Sequence, residues 1–185
     1  MVERFDLADR LQVRTALLAI GRSTLRNQGA SGLISAARRY LRELDFRDFA
    51  VTTREQFDAV LERRTKLLMK RFPPQASENW GAARKALNIF LRDAYYCYPL
   101  SVGHGLSRLE PWLEVPLDSN VYEGLTKDLN GSRSLPDWPG IKHLTPEVSA
   151  KLQAAAETIA SRLKTHRVHL DVRYWRKRAV DELEG

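Results

Sequence analysis

Apolar residues recur at intervals of three and four along most of the chain, which is the spacing of an amphipathic helix. The pattern predicts a first helix over 6–25, which two glycines end, and a second helix from about Leu33 to Leu44. No segment alternates convincingly between apolar and polar residues, and Val168–Val172 fits a strand and a helix equally well. The pattern therefore predicts an all-α protein.

Capping signals predict where the later helices begin. Thr52-Thr53-Arg54-Glu55-Gln56 is a capping box for a third helix, which Phe72-Pro73-Pro74 ends. We expect the next helix from about Gly81 to Tyr96. Asp118 opens a helix that reaches about Leu129, and Thr145-Pro146-Glu147 opens one that runs to about Leu163.

Two loops separate the later helices. Residues 99–117 hold three prolines and two glycines, which predicts a long loop with at most a short helical turn. A second loop covers 130–140. Long loops in small domains are often functional. The length of 185 residues suits a single helical domain over 1–185, folded as two lobes around an active-site cleft.

The charge of the chain favours an anionic partner. Lys and Arg number 30 against 23 Asp and Glu, so the net charge is +7. Nucleic acid is the commoner partner of such a protein, and an acidic membrane surface is the rarer one. The apolar fraction of 43% is enough for a packed core, which argues against wholesale disorder.

The single cysteine, Cys97, excludes a disulfide framework and a Cys-rich metal or iron–sulfur site. Its aromatic neighbours predict a buried, inert thiol. The first residues are too charged for a signal peptide, and no apolar stretch is long enough to span a bilayer. We expect a monomeric cytoplasmic protein without a membrane partner.

The most specific motif covers residues 80–91, Trp-Gly-Ala-Ala-Arg-Lys-Ala-Leu-Asn-Ile-Phe-Leu. It resembles the hairpin of helix-hairpin-helix DNA glycosylases, in which a Gly-x-Gly-Arg-Lys turn opens a helix. The matching positions are Gly81, Arg84, Lys85, Asn88 and Leu91. The family's second glycine is Ala83 here, and its leading proline is Trp80.

A second motif follows at 113–121, Leu-Glu-Val-Pro-Leu-Asp-Ser-Asn-Val. It resembles the apolar run that ends in Asp-x-x-Val in the same superfamily, whose aspartate completes the active site. Here that aspartate is Asp118, 33 residues after Lys85. The separation is longer than in the common members and similar to that of an archaeal subgroup that acts on oxidised guanine.

The resemblance implies a DNA glycosylase with AP lyase activity, acting on double-stranded DNA that carries a damaged or modified base. Such an enzyme flips the nucleotide out of the duplex. Lys85 would attack the sugar to form a Schiff base, and Asp118 would activate the lysine and stabilise the developing positive charge. No metal ion and no organic cofactor is required.

The resemblance also implies binding residues around three regions: the hairpin at about 76–96, the aspartate segment at 113–129 and a basic C-terminal segment at 165–180. Backbone N–H groups at a helix start can bind DNA phosphates. The expected DNA contacts are Trp80, Gly81, Ala83, Arg84, Arg173 and Arg176. The expected base pocket is lined by Tyr98, His104 and Trp112.

Two other interpretations stay open. Lys85 can be an ordinary surface lysine and Asp118 an ordinary helix N-cap, which is compatible with a catalytic role. The protein would then be a non-catalytic DNA-binding module, or a helical interaction protein with an accidental resemblance. His166, His169 and Asp171 have a spacing that could hold a metal ion on a helix, but the pattern does not favour it. The enzyme requires the side chains of Lys85 and Asp118 to converge.

Overall fold

Helices form the regular secondary structure of the protein in the computed structural model, which describes residues 6–25, 28, 30–129 and 135–175. The eight helices in these residues are α1 (Leu7–Ala19), α2 (Leu33–Arg42), α3 (Arg54–Met69), α4 (Trp80–Tyr96), α5 (Tyr98–Gly103), α6 (Ser119–Asp128), α7 (Pro146–Arg162) and α8 (Leu170–Tyr174). The described ranges contain no strand, so the all-α prediction is confirmed. None of the helices in these ranges combines the length and the apolar character needed to cross a membrane.

The predicted helix starts agree with the caps in the structure. The side chains of Thr53, Asp118 and Thr145 accept hydrogen bonds from backbone N–H groups in the first turns of α3, α6 and α7. Each bond satisfies a donor that has no partner inside the helix. Helix α4 begins one residue before the expected position, because Asn79 caps it by accepting from the N–H of Ala82 at 2.9 Å.

Other boundaries differ from the prediction. Helix α1 ends at Ala19 rather than Leu25, because the hydroxyl of Thr24 donates to the carbonyl of Ala19 at 2.9 Å and offers it an alternative to the helical bond. The predicted loop at 99–117 contains α5 and a 3₁₀ turn at Leu106–Leu109. The ambiguous segment Val168–Val172 is helical.

Helix α4 lies at the centre of the molecule, and every residue from 80 to 91 is buried. It packs with α1, α2, α3 and α5 in a first hydrophobic cluster, to which it contributes Leu87 and Phe90. A second cluster joins α6 and α7 to Trp80, at the start of α4, and to Leu170 of α8. The polar residues of α4 meet the segment 113–118, which leads from the first cluster into the second.

The segment 113–117 is extended, and two buried side chains satisfy its backbone. Gln153 of α7 accepts from the N–H of Val115 at 3.1 Å and donates to its carbonyl at 2.8 Å. Arg167 donates to the carbonyls of Trp112 and Leu113 at 2.8 and 3.1 Å. Buried backbone groups without partners are costly, so these bonds fix the path of the chain into Asp118.

Candidate functional site

The structure brings Lys85 and Asp118 together. Nζ of Lys85 lies 3.3 Å from Oδ2 of Asp118, although the residues are 33 positions apart. The Lys85 side chain is 8% exposed and that of Asp118 is 28% exposed. The other carboxylate oxygen, Oδ1, accepts from the N–H of Val121 at 3.0 Å and caps α6. One aspartate therefore starts a helix and faces a buried lysine.

A buried ion pair next to this site holds the segment 113–118 against α4. Arg84 donates to both carboxylate oxygens of Glu114, at 2.9 and 3.1 Å, and Asn88 donates to the same carboxylate at 2.8 Å. Burial alone would raise the pKa of Glu114, but the charge and hydrogen bonds of Arg84 outweigh it and hold the pKa below its ordinary value. Glu114 is therefore ionised, and the bidentate pair fixes the geometry.

A second carboxylate, Asp171 of α8, faces the same side of α4. Its Oδ2 contacts Nη1 of Arg92, which also binds Asp93. Burial raises the pKa of Asp171; the positive charge of Arg92 opposes this rise and the negative charge of Asp118 adds to it. Lys85 and Arg92 are seven residues apart, two turns of one helical face. The site thus includes charged groups from α4, α6 and α8.

The space beside Lys85 is small. A void of about 160 Å³ is bounded by Arg84, Lys85, Asn88, Leu117, Leu144 and Ser149. It has no room for a water molecule. The void that Lys85 borders therefore does not admit a nucleobase in this conformation.

The start of α4 is covered by another part of the chain. A Cβ atom built on Gly81 would lie 2.1 Å from the carbonyl oxygen of Ile141, so glycine lets the 3₁₀ turn Ile141–His143 pack on the helix. Gly81 and Ala83 are both buried. In this conformation neither residue is exposed for the expected contact with DNA phosphates.

Trp80 and Arg84 are also interior residues. The guanidinium carbon of Arg84 lies 5.1 Å from the centre of the Trp80 ring, a cation–π distance. The indole N–H of Trp80 donates to Glu62 at 3.1 Å. Their burial and mutual contacts argue against the expected DNA contact and give both residues a structural role.

The expected base-pocket residues do not gather around Lys85. Tyr98 is 77% exposed on α5. The ring of His104 lies 4.7 Å from that of Phe46, and the ring of Trp112 lies 6.1 Å from that of Phe57. These contacts place His104 and Trp112 against the first hydrophobic cluster, away from the residues that bound the void.

The C-terminal basic residues are described in part. Arg173 is half exposed and pairs with Asp128 at 3.2 Å, so it remains at the surface. Arg176 lies outside the described residues. The exposed position of Arg173 leaves room for a partner, whereas its pairing with Asp128 reduces the free charge it can offer.

His169, at the start of α8, has partners other than a metal ion. His169 is within 2.7 Å of both the hydroxyl of Tyr96 and the carboxylate of Glu110. Asp171, two residues after His169, forms an ion pair with Arg92. Within the described part of the chain, no three His, Cys, Asp or Glu side chains are grouped to hold a metal.

The residues that position the lysine–aspartate pair are not marked by either motif as site residues. Glu114 stands alone in an apolar run, and a lone carboxylate in such a run is a signal of a buried ion pair. Gln153 and Asp171 carry no comparable signal, because their roles depend on contacts between distant helices.

Comparison of the chain with protein-family models, with curated proteins and with solved structures finds no match.

Proposed function

We propose that this protein is a DNA glycosylase with AP lyase activity, in which Lys85 is the nucleophile and Asp118 the activating carboxylate. The observation that carries the proposal is the distance of 3.3 Å between Nζ of Lys85 and Oδ2 of Asp118. Two separate motif resemblances single out these residues, and an accidental pair of matches would have no reason to converge in space. A nucleophile within reach of its base is the arrangement that covalent catalysis requires.

The pair can perform the reaction in ordinary steps. Asp118 accepts a proton from the Lys85 ammonium, and the free amine attacks C1′ of the flipped nucleotide. The bond from C1′ to the base breaks, its electron pair leaves with the base, and the base takes up a proton. Opening of the sugar gives a Schiff base to Lys85. Elimination of the 3′ phosphate and hydrolysis of the imine complete the lyase reaction.

The proposal requires movement around Lys85. The lysine is almost fully buried, and the adjoining void does not admit a base. Leu144 and Ser149, which bound this void, follow the turn Ile141–His143 that covers the start of α4. Entry of a nucleotide must displace this cover. Conformational change on binding is common where a substrate is enclosed.

The charge of the chain is consistent with a DNA substrate. A net charge of +7 attracts a polyanion and predicts binding that weakens as salt concentration rises. The carboxylates nearest Lys85 are held by cations of α4, so the site does not present uncompensated negative charge to DNA.

A non-catalytic DNA-binding module is the second candidate, and one observation favours it. The void beside Lys85 does not admit a base, and Asp118 already pairs with the lysine. In that case the pair would be a structural ion pair. A covalent assay separates the two candidates, because only the enzyme forms a bond to DNA.

Borohydride trapping tests the proposal. The protein is mixed with duplexes that carry an abasic site, oxidised guanine, uracil or a modified pyrimidine, and the reductant then fixes any Schiff base. We expect a covalent protein–DNA band that Lys85→Ala abolishes and Lys151→Ala, at an exposed position of α7, retains. DNA binding without a band would favour the module, and the absence of both binding and band would refute both candidates.

A further inference from the structure

Three arginines line a cavity whose wall is formed by residues between 36 and 71. It has a volume of about 280 Å³, lies between α2 and the end of α3, and its wall includes Arg39, Arg64 and Arg71. Tyr40 of α2 donates its hydroxyl to the carbonyl of Arg64 at 3.2 Å, which joins the two helices beside it. The next residue of α3, Thr65, accepts a hydrogen bond from Arg84 of α4. Arg64 of α3 therefore faces the cavity, whereas Thr65 contacts the residues beside Lys85.

The positive charge of this cavity is only partly neutralised. The one carboxylate in its wall belongs to Glu43, which is engaged by Arg42 at 2.9 Å. Arg64 contacts Asp48. The side chains of Arg39 and Arg71 are exposed and form neither a hydrogen bond nor an ion pair with the described residues. Two guanidinium groups are therefore available to a ligand.

Arg64 is the third arginine of the cavity wall, and Asp48 pairs with it. The charge of Arg64 is therefore engaged within the protein, and the free positive charge of the cavity belongs to Arg39 and Arg71.

We propose that this cavity binds a phosphoryl group. Guanidinium groups match phosphate oxygens in charge and in the geometry of paired donors. Tyr40 and Leu44 also line the cavity. The phosphoryl group belongs to the DNA backbone or to a free phosphate compound, since both present the same chemistry.

Binding at this site rests on the arginines alone. The cavity lies at the C-terminal ends of α2 and α3, where the helix dipole is negative and disfavours an anion. Removal of the unpaired guanidiniums therefore leaves Arg64, which is paired with Asp48, as the remaining cation in the cavity wall. The proposal does not depend on Lys85 or on the proposed glycosylase activity.

A double substitution with a charge-matched control tests the site. Arg39→Gln with Arg71→Gln removes two charges from the cavity, and Arg14→Gln with Arg22→Gln removes two exposed charges elsewhere. Binding of pyrophosphate is measured by calorimetry. Binding of an undamaged duplex is measured by fluorescence anisotropy over a range of salt concentrations. Thermal unfolding verifies that both variants are folded.

If the ligand is a free phosphate compound, the cavity variant loses at least about tenfold in pyrophosphate affinity, as expected for a lost charged contact, while the control keeps its affinity. If the ligand is the DNA backbone, the slope of log affinity against log salt falls by about 1.8 in the cavity variant, about 0.9 for each lost phosphate contact, and by less in the control. Equal behaviour of the two variants in both assays overturns the proposal. The same assays in a Lys85→Ala background keep this result separate from that of borohydride trapping.

Discussion

The two carboxylate oxygens of Asp118 serve different partners: Oδ1 accepts from the first turn of α6, and Oδ2 lies 3.3 Å from Nζ of Lys85. Because the cap fixes the orientation of the carboxylate, the position of the second oxygen depends on the start of α6 and on the extended segment before it. The site is therefore built by the same bonds that build the fold, and substitutions can separate the two roles.

Substitution of Asp118 by asparagine or alanine separates capping from chemistry. Both variants remove the carboxylate from Lys85, but asparagine still caps a helix and alanine does not. We expect Asp118→Ala to be less stable than Asp118→Asn by about 0.5–2 kcal/mol in urea unfolding. Both should lower the rate of borohydride trapping by about 10²–10⁴, the usual effect of losing a general base. A wild-type trapping rate in the asparagine variant would remove Asp118 from the mechanism.

Glu114→Gln should be strongly destabilising. The change leaves the buried guanidinium of Arg84 without its counter-charge, which costs about 3–5 kcal/mol in comparable buried pairs. Chemical unfolding measures the loss, and Glu123→Gln on the exposed face of α6 is the control. A loss no larger than that of the control would mean that the ion pair contributes little.

The same carboxylate predicts a pH dependence of stability. The pKa of Glu114 is held below its ordinary value of 4.5, so its ionised form stabilises the folded state at higher pH. That contribution is present above pH 4.5 and is lost as the pH falls through the lower pKa of the folded state. Unfolding free energies measured down the acid range should show this loss in the wild type, and Glu114→Gln should lack this part of the decline.

Gln153→Leu should weaken both stability and activity. The substitution leaves the buried N–H and carbonyl of Val115 without partners, at about 1–3 kcal/mol for each unsatisfied group. Because Val115 precedes Asp118 by three residues, the lysine–aspartate distance should also change. Unfolding and trapping are measured together, with Gln75→Leu, at an exposed position of the 3₁₀ turn Pro74–Ala76, as the control. Full stability with normal trapping would show that this contact does not position the site.

Gly81→Ala tests whether this glycine is needed for packing. Its new Cβ would meet the backbone of Ile141, which cannot rotate away as a side chain can. Overpacking of this kind costs about 1–3 kcal/mol, or a fall in Tm of about 3–10 °C for a domain of this size. Gly103→Ala, whose Cβ would meet nothing within 4 Å, is the matched control and should leave Tm unchanged or raise it slightly. A Tm unchanged by Gly81→Ala would contradict the close approach.

Local sequence signals predicted much of the fold. Thr53, Asp118 and Thr145 start helices because a short polar side chain can bond to the next turn without distant contacts. The predicted end of α1 at Leu25 was wrong, because the apolar spacing continues beyond Ala19. The helix ends at Ala19, whose carbonyl accepts a hydrogen bond from Thr24. Helix α5 lies where the sequence predicted a long loop that can include a short helical turn, because the prolines and glycines around it are typical of loops.

The sequence predicted the central pair of the candidate site but not the residues around it. The two motifs mark Lys85 and Asp118 by residue type and order, and the structure brings them together. Residues outside the motifs depend on long-range packing: His104 lies on Phe46, Gly81 faces Ile141, and Asp171 comes from a helix that the sequence left ambiguous. No local pattern encodes such contacts, so these positions could not be predicted from the sequence.

The most direct test of the central claim is the identity of the residue that becomes attached to DNA. The protein is trapped with borohydride on an abasic duplex, digested with protease and nuclease, and the modified peptide is sequenced by mass spectrometry. We predict a deoxyribose remnant on Nζ of Lys85 in the wild type and no trapped peptide from Lys85→Ala. A remnant on another lysine, or an adduct that persists in Lys85→Ala, would contradict the assignment of Lys85 as the nucleophile.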